Sequence, residues 1–277
     1  MTTPQVDATS LVDRAELERR VQDVYRHVAH DPVAPRHFEI GRSLALRLGY
    51  PEALLDGVPY LALASFAGVG YHLDLADLRP GDSVLDLGSG SGTDVFAAGL
   101  VVGASGWVVG VDFTDAQLGV ANSLARRHGV RNVRFVKGTI DELPFEDGSF
   151  DVVMSNGVVN LSPVKQRVFA EAARVLRPGG RLAISDMVSE TELKEATRRN
   201  AALWAACIAG AVPATAYLDA LTAAGFELTG THPNDYRFLS KRALDACQTY
   251  GVRSLSIAAR RQGDPHAPDP RHLLHRP

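Results

Sequence analysis

The chain has 277 residues, 29 Lys and Arg against 32 Asp and Glu, and 45% hydrophobic residues. A formal charge of −3 argues against a partner held by neutralising many phosphates, so no nucleic-acid partner is expected. The two cysteines, Cys207 and Cys247, exclude a disulfide scaffold and form no CxxC metal pair, so a reducing, cytoplasmic setting is expected.

Met1–Ser10 is polar and lacks the basic-then-apolar order of an export signal. Leu17, Val21, Val24, Tyr25 and Val28 share one face of a predicted helix spanning Leu11–His30. A second helix is predicted over Phe38–Tyr50, ahead of Pro51, followed by an apolar, glycine-bearing stretch from Leu54 to Leu78. From there β-branched runs alternate with helical patterns. The predicted strands are Ser83–Leu87, Trp107–Val111, Val133–Val136, Asp151–Ser155 and Arg181–Ser185. The helices between them centre on Asp94–Val102, Asp115–His128 and Lys165–Leu176. Such alternation specifies right-handed βαβ units around a mainly parallel sheet. Glu227–Thr231 and Ser254–Ala259 are candidates to complete it, and Gln262–Pro277 reads as a solvated, disordered tail. The uncharged windows Val95–Val111 and Ala201–Leu218 are broken by glycines or Pro213, so no membrane span is expected.

The segment Val84-Leu85-Asp86-Leu87-Gly88-Ser89-Gly90-Ser91-Gly92-Thr93-Asp94 places a glycine-rich turn between a strand and a helix. Glycine lets the backbone take positive φ and approach a ligand closely, and in an open α/β sheet that ligand lies at the strands' carboxyl ends. A dinucleotide fingerprint, GxGxxG, places its third glycine one position later. Asp86 at the strand end suits a cofactor carrying an ammonium group better than one carrying a pyrophosphate. The next strand ends in Asp112, an acceptor for ribose hydroxyls, and the third leads into Gly138-Thr139-Ile140-Asp141. Phe150–Asn156 and Val175-Leu176-Arg177-Pro178-Gly179-Gly180-Arg181-Leu182 follow.

This series resembles the class I S-adenosylmethionine-dependent methyltransferases over roughly Leu78–Ala259. The resemblance implies an α/β, Rossmann-like fold with a seven-stranded, mostly parallel sheet, an antiparallel last strand and helices on both faces. An N-terminal helical extension precedes it. Carried over residue by residue, Asp86, Gly88, Ser89, Gly90 and Gly92 would line the methionine moiety, and Asp112 would hold the ribose diol. Phe113 and Thr114 would flank the adenine, Thr139, Ile140 and Asp141 would face its edge, and Asn156 would close over the cofactor.

A narrower similarity, to the arsenite methyltransferase family, lies in Gly68-Val69-Gly70, Ser155–Lys165, Leu182–Asp186 and Leu203–Ala211. That family holds trivalent arsenic through three thiolates. Here Val69, Gly157 and Cys207 occupy those positions, leaving one thiol where a soft centre calls for several sulfur ligands. The expected acceptor is therefore a small organic molecule, methylated on carbon in preference to oxygen or nitrogen. Val69, Gly157, Asn160, Trp204 and Cys207 are the expected substrate wall, with His72 and Tyr71 as candidate catalytic residues near Asp74.

The expected organisation is a helical cap and substrate lid over residues 1–78, a cofactor domain over 79–261, and an insertion at 187–225 contributing to the substrate pocket. No metal site is expected: His266, His272 and His275 are irregularly spaced in a Pro-rich tail. Arg126-Arg127-His128 and Arg198-Arg199 read as solvated helix faces. The fourth strand lacks the Asn/Asp-Pro-Pro-Tyr/Phe segment of nucleic-acid amino-methyltransferases. Arsenite or antimonite methylation with Cys207 and external thiols is the first alternative, a non-catalytic cofactor-binding scaffold or sensor the second, and a nicotinamide oxidoreductase the weakest. The sequence does not specify the oligomeric state.

Overall fold

The computed structural model describes residues 6–30, 38–205 and 207–263. Helices α1 (Arg14–His30), α2 (Arg42–Arg47), α3 (Glu52–Asp56) and α4 (Tyr60–Ala64) precede the sheet. Then β1 (Ser83–Leu87), α5 (Thr93–Val102), β2 (Trp107–Asp112), α6 (Asp115–Arg127), β3 (Val133–Lys137) and β4 (Phe150–Asn156) alternate. A 3-10 turn at Val159–Leu161 leads to α7 (Lys165–Val175) and the long strand β5 (Leu176–Val188). Short helices α8 (Glu195–Arg198) and α9 (Ala201–Ala205) follow, then α10 (Ala214–Ala223), β6 (Phe226–Pro233), α11 (Lys241–Tyr250) and β7 (Arg253–Arg261).

The seven strands run in the order β3-β2-β1-β4-β5-β7-β6, with β7 antiparallel to both neighbours, which is the class I methyltransferase arrangement. Period-2 alternation sends the two faces into separate cores. Leu85, Leu87, Val109, Val111, Val153, Leu182 and Ile184 face one way, onto Phe169 of α7 and Tyr217 of α10. Val84, Val108, Val152, Met154 and Ala183 face the other, onto α5, α6 and the helices α2–α4. A third apolar cluster joins α1, α9, the segment after it and α11.

Three local expectations change. The helix predicted over Phe38–Tyr50 is confined to α2, because Gly41 takes φ 86° and starts it late, and Gly49 takes φ 100° and ends the turn after it. Leu176, expected to close α7, instead opens β5: its extended backbone pairs with Phe150, and the register then jumps to Arg181 opposite Val152. Helix α11 was not expected. Its signals are in the sequence: Ser240 Oγ accepts from Ala243 N, and Gly251 ends it in the left-handed region. The predicted tail lies outside the described residues except Gln262 and Gly263, as do His266, His272 and His275. Among the described residues no helix is long and apolar enough to cross a membrane.

Candidate active site

A cavity opens at the carboxyl ends of β1, β2 and β4, where the glycine loop leaves β1. The loop is drawn over β2 by two backbone bonds, Gly88 N and Ser89 N to Val111 O at 2.8 and 3.0 Å. Gly88 and Gly90 take φ 73° and 54°, conformations that glycine adopts without steric cost. Gly90 N donates to Asp112 Oδ2 at 2.9 Å, and Thr114 N donates to Asp112 Oδ1 at 2.8 Å. The Asp112 carboxylate is thus fixed at both oxygens at the cavity wall, where it can accept from a ligand hydroxyl.

Asp86, Gly88, Ser89, Gly90, Asp112, Phe113, Thr114, Thr139, Ile140, Asp141 and Asn156 all line this cavity. Gly92 does not; it caps α5 at φ 95°, where a Cβ would meet the Phe135 ring at 2.6 Å. Burial and then the charges of Asp94 and Asp112 push the Asp86 carboxyl well above the usual carboxylate range. Burial also raises Asp112, against the hydrogen bonds it accepts from Thr114 and Gly90. Ser89 Oγ is buried and has no partner. A wall of four buried acids, Asp86, Asp94, Asp112 and Asp141, with an unpartnered hydroxyl fits a cofactor that brings its own cations and hydroxyls.

Asn156 does more than face the cavity. Its Oδ1 accepts from Val69 N at 2.7 Å and Gly70 N at 3.3 Å. Its Nδ2 donates to Gly70 O, Tyr50 OH and Asp94 Oδ2 at 3.0–3.1 Å. Its amide therefore stitches the Gly68–Gly70 loop to the end of β4. A Cβ at Gly68 would collide with that amide, 2.5 Å from Nδ2.

Helix α1, expected as part of a lid, supplies cavity residues that the sequence reading did not name individually as site residues. Arg14, Leu17, Glu18, Val21 and Tyr25 line the cavity. Arg14 binds Asp141 through both terminal nitrogens, at 2.7 and 3.2 Å. Burial raises the Asp141 carboxyl, but the Arg14 bond and charge outweigh it and leave it below its usual value. Gln117 ties α1 down by donating to Tyr25 O at 3.0 Å while accepting from Ser91 Oγ.

Val69, Gly157 and Cys207 come together beyond Asn156. A Cβ at Gly157, which takes φ 73°, would lie 3.2 Å from Val69 Cγ1, and Cys207 Sγ is 3.9 Å from Gly157 O. Each is held through its backbone or its neighbours': Ser254 Oγ donates to Val69 O at 2.6 Å, Gly157 N to Ser185 O at 2.7 Å, and Asn160 Nδ2 to Cys207 O at 2.8 Å. Burial, with Asp186 nearby, pushes the Cys207 thiol up to about 12, so it carries its proton at neutral pH. Trp204 is buried behind it, its indole N–H donating to Arg198 O at 2.6 Å. Val69, Gly157 and Cys207 do not themselves line the cavity; Tyr25 does, and its hydroxyl lies 4.0 Å from Cys207 Sγ.

Neither Tyr71 nor His72 lines the cavity. Tyr71 packs on Tyr50 with ring centroids 4.5 Å apart. His72 is fully enclosed, neither ring nitrogen has a hydrogen-bond partner, and burial holds its pKa below the usual value despite Asp94 and Asp74. The imidazole is thus enclosed behind the cavity wall and not among the groups that line it.

Residues 78–242 match the family model described as Methyltransferase domain. This chain belongs to that family. An arsenite methyltransferase of Halobacterium salinarum is 43% identical over 191 residues, 68% of this chain and 48% of the relative. One of Aquipseudomonas alcaligenes is 47% identical over 168 residues, 58% of this chain and 48% of the relative. The chain thus spans about half the length of these curated relatives. Among solved structures, an arsenic(III) S-adenosylmethionine methyltransferase from Chlamydomonas reinhardtii superposes with a TM-score of 0.60 at 32% identity. That match covers 85% of this chain and 77% of the other. By family the chain carries a methyltransferase domain, its fold matches that of an S-adenosylmethionine methyltransferase, and its buried acids fit that cofactor.

Proposed function

We propose that the chain methylates a small acceptor seated where Val69, Gly157 and Cys207 meet, and that this acceptor is a thiol-bound trivalent arsenic or antimony species. The sequence places an organic acceptor first; relatives at 43–47% identity that are arsenite methyltransferases support the reverse order. The observation that carries the reading is the convergence of the three positions around a surviving thiol, Cys207.

When bound, S-adenosylmethionine supplies an electrophilic methyl group on a sulfonium. The chain's own residues do the rest. Asp86 meets the cofactor's cationic amino-acid end, Asp112 accepts from the ribose hydroxyls, and α1 covers the cavity and excludes water. With only one protein sulfur here, the other ligands of the metalloid come from small thiols such as glutathione. In anchoring, a Cys207 sulfur–metalloid bond forms, a bond to one small thiolate breaks, and the Cys207 proton leaves with that thiolate. A thiol near pKa 12 keeps its proton until that exchange.

A second reading rests on the same wall. Val69 is apolar and Gly157 has no side chain, so two of the three positions offer a surface suited to carbon instead of sulfur ligands. This favours a small organic acceptor, methylated on carbon.

Incubating the full chain with labelled cofactor, arsenite and glutathione separates the two. Methylated arsenic lost in Cys207→Ser supports the first reading. Absence of methylated arsenic, with label transferred into an organic metabolite pool, overturns it in favour of the second.

A further inference from the structure

Two fully buried charges lie next to the acceptor wall, and neither takes part in binding the cofactor. Lys165, at the start of α7, and Asp186, near the end of β5, are both at 0% exposure. Among the described residues no ion pair joins them. They grip one residue from opposite ends instead. Asn160 N donates to Asp186 Oδ2 at 2.7 Å, and Lys165 Nζ donates to Asn160 O at 3.1 Å. Asp186 is completed by Met187 N at 2.8 Å and Tyr217 OH at 2.9 Å, and Lys165 by Ser162 O at 2.8 Å. The Lys165 ammonium also sits 4.9 Å from the Trp204 ring centroid.

The gripped residue holds Cys207. Asn160 Nδ2 donates to Cys207 O at 2.8 Å. Cys207 has φ 59°, one of two non-glycine residues with positive φ among the described residues. Such a conformation persists only where the surroundings over-determine it. Gly210, on the far side of the same turn, has no room for a side chain, because a Cβ would overlap the Asn160 carbonyl. Burying two charges is expensive, and a turn that only needed closing would be served by neutral groups. Charge-assisted bonds at both ends of one residue give a fixed position in return.

We propose that Lys165 and Asp186 are positioning residues that clamp Asn160, so that its amide holds the Cys207 turn against Gly157 and sets where the acceptor sits. This rests on the reading that Cys207 belongs to the acceptor wall; the clamp itself is testable without knowing the acceptor. Breaking one end leaves the other charge buried and uncompensated, whereas neutralising both removes that penalty.

The test alkylates the full chain with N-ethylmaleimide and follows Cys207 and half-buried Cys247 separately by peptide mass spectrometry. Asp186→Asn and Lys165→Met are each expected to speed labelling of Cys207 at least tenfold relative to Cys247. Their dissociation constants for S-adenosylhomocysteine are expected to stay within twofold of wild type. The double variant is expected to return Cys207 labelling towards the wild-type rate. Labelling that rises equally at both cysteines, or a double variant at least as labile as the singles, overturns the clamp. If the singles do not fold, Asn160→Ala carries the test, since it removes the bond to Cys207 and leaves both charges their backbone partners. Unchanged Cys207 labelling there overturns the proposal. With arsenite and glutathione, a higher KM for arsenite at constant cofactor affinity supports positioning. No wild-type turnover of arsenite counts against the acceptor assignment, and alkylation alone then decides the clamp.

Discussion

At the glycine loop, buried polar groups face an open cavity; at the Val69–Gly157–Cys207 wall they face one another. Asp86, Asp112 and Ser89 Oγ keep capacity for a ligand, while Asn156, Ser254 and Asn160 direct hydrogen bonds onto neighbouring backbone. The cofactor end is thus specified by side chains that meet a ligand. At the proposed acceptor end, the backbone of all three positions is held by hydrogen bonds, and the Val69 side chain packs against Gly157.

The largest expected effect breaks the cofactor end. Asp112→Ala removes the ribose acceptor and its tie to Gly90, and hydrogen bonds to a charged group contribute roughly 1.5–3 kcal/mol each. Affinity for S-adenosylhomocysteine should fall about 100-fold by calorimetry; a change under about fivefold would mean that Asp112 does not meet the ligand. Asp86 gives a proton signature. Its carboxyl is raised in the free protein, so it holds a proton at a pH where an ordinary aspartate is ionised. A cationic cofactor favours the carboxylate, so binding should release protons just above the usual carboxylate range and tighten as pH rises there. Calorimetry in buffers of different ionisation enthalpy measures this, and Asp86→Asn should abolish it.

At the acceptor end, Gly157→Ala should cost more than the left-handed conformation alone, which is about 1–2 kcal/mol. Gly129 has φ 64° and no atom within 4 Å of an added Cβ, so Gly129→Ala measures the backbone part by itself. Urea unfolding should show Gly157→Ala as the more damaging, the excess being its contact with Val69; equal losses would mean that the wall is loosely packed. The smallest effect concerns the lid. Arg14 is 45% exposed and its pair with Asp141 is partly screened by solvent, so Arg14→Ala should weaken S-adenosylhomocysteine binding by at most about fivefold, the equivalent of roughly 0.2–1 kcal/mol.

The strands, the glycine loop and its acids were legible because each depends on local pattern: alternation along β1, positive φ at Gly88 and Gly90, a carboxylate at the end of β2. Tyr25 and Arg14 were visible only as parts of an amphipathic helix. Nothing in the spacing of α1 says that it crosses strand ends about a hundred residues further along the chain. The placement of His72 was out of reach of the sequence for a related reason. Residue type suggests a base, but burial and the absence of a partner for either ring nitrogen are tertiary facts. Likewise the sequence shows one thiol at three candidate positions, and only the fold shows that Val69, Gly157 and Cys207 meet.

Taken alone, the sequence determined most of the strands, the glycine loop and the acids at the strand ends, because these follow from periodicity and backbone conformation over a few residues. The seven-stranded arrangement was implied only by the family resemblance. Tertiary structure decided which residues cover the cavity, which face away from it, and how Lys165 and Asp186 reach both ends of Asn160. Those relations depend on burial and on distances between segments remote in the chain, which local pattern does not encode.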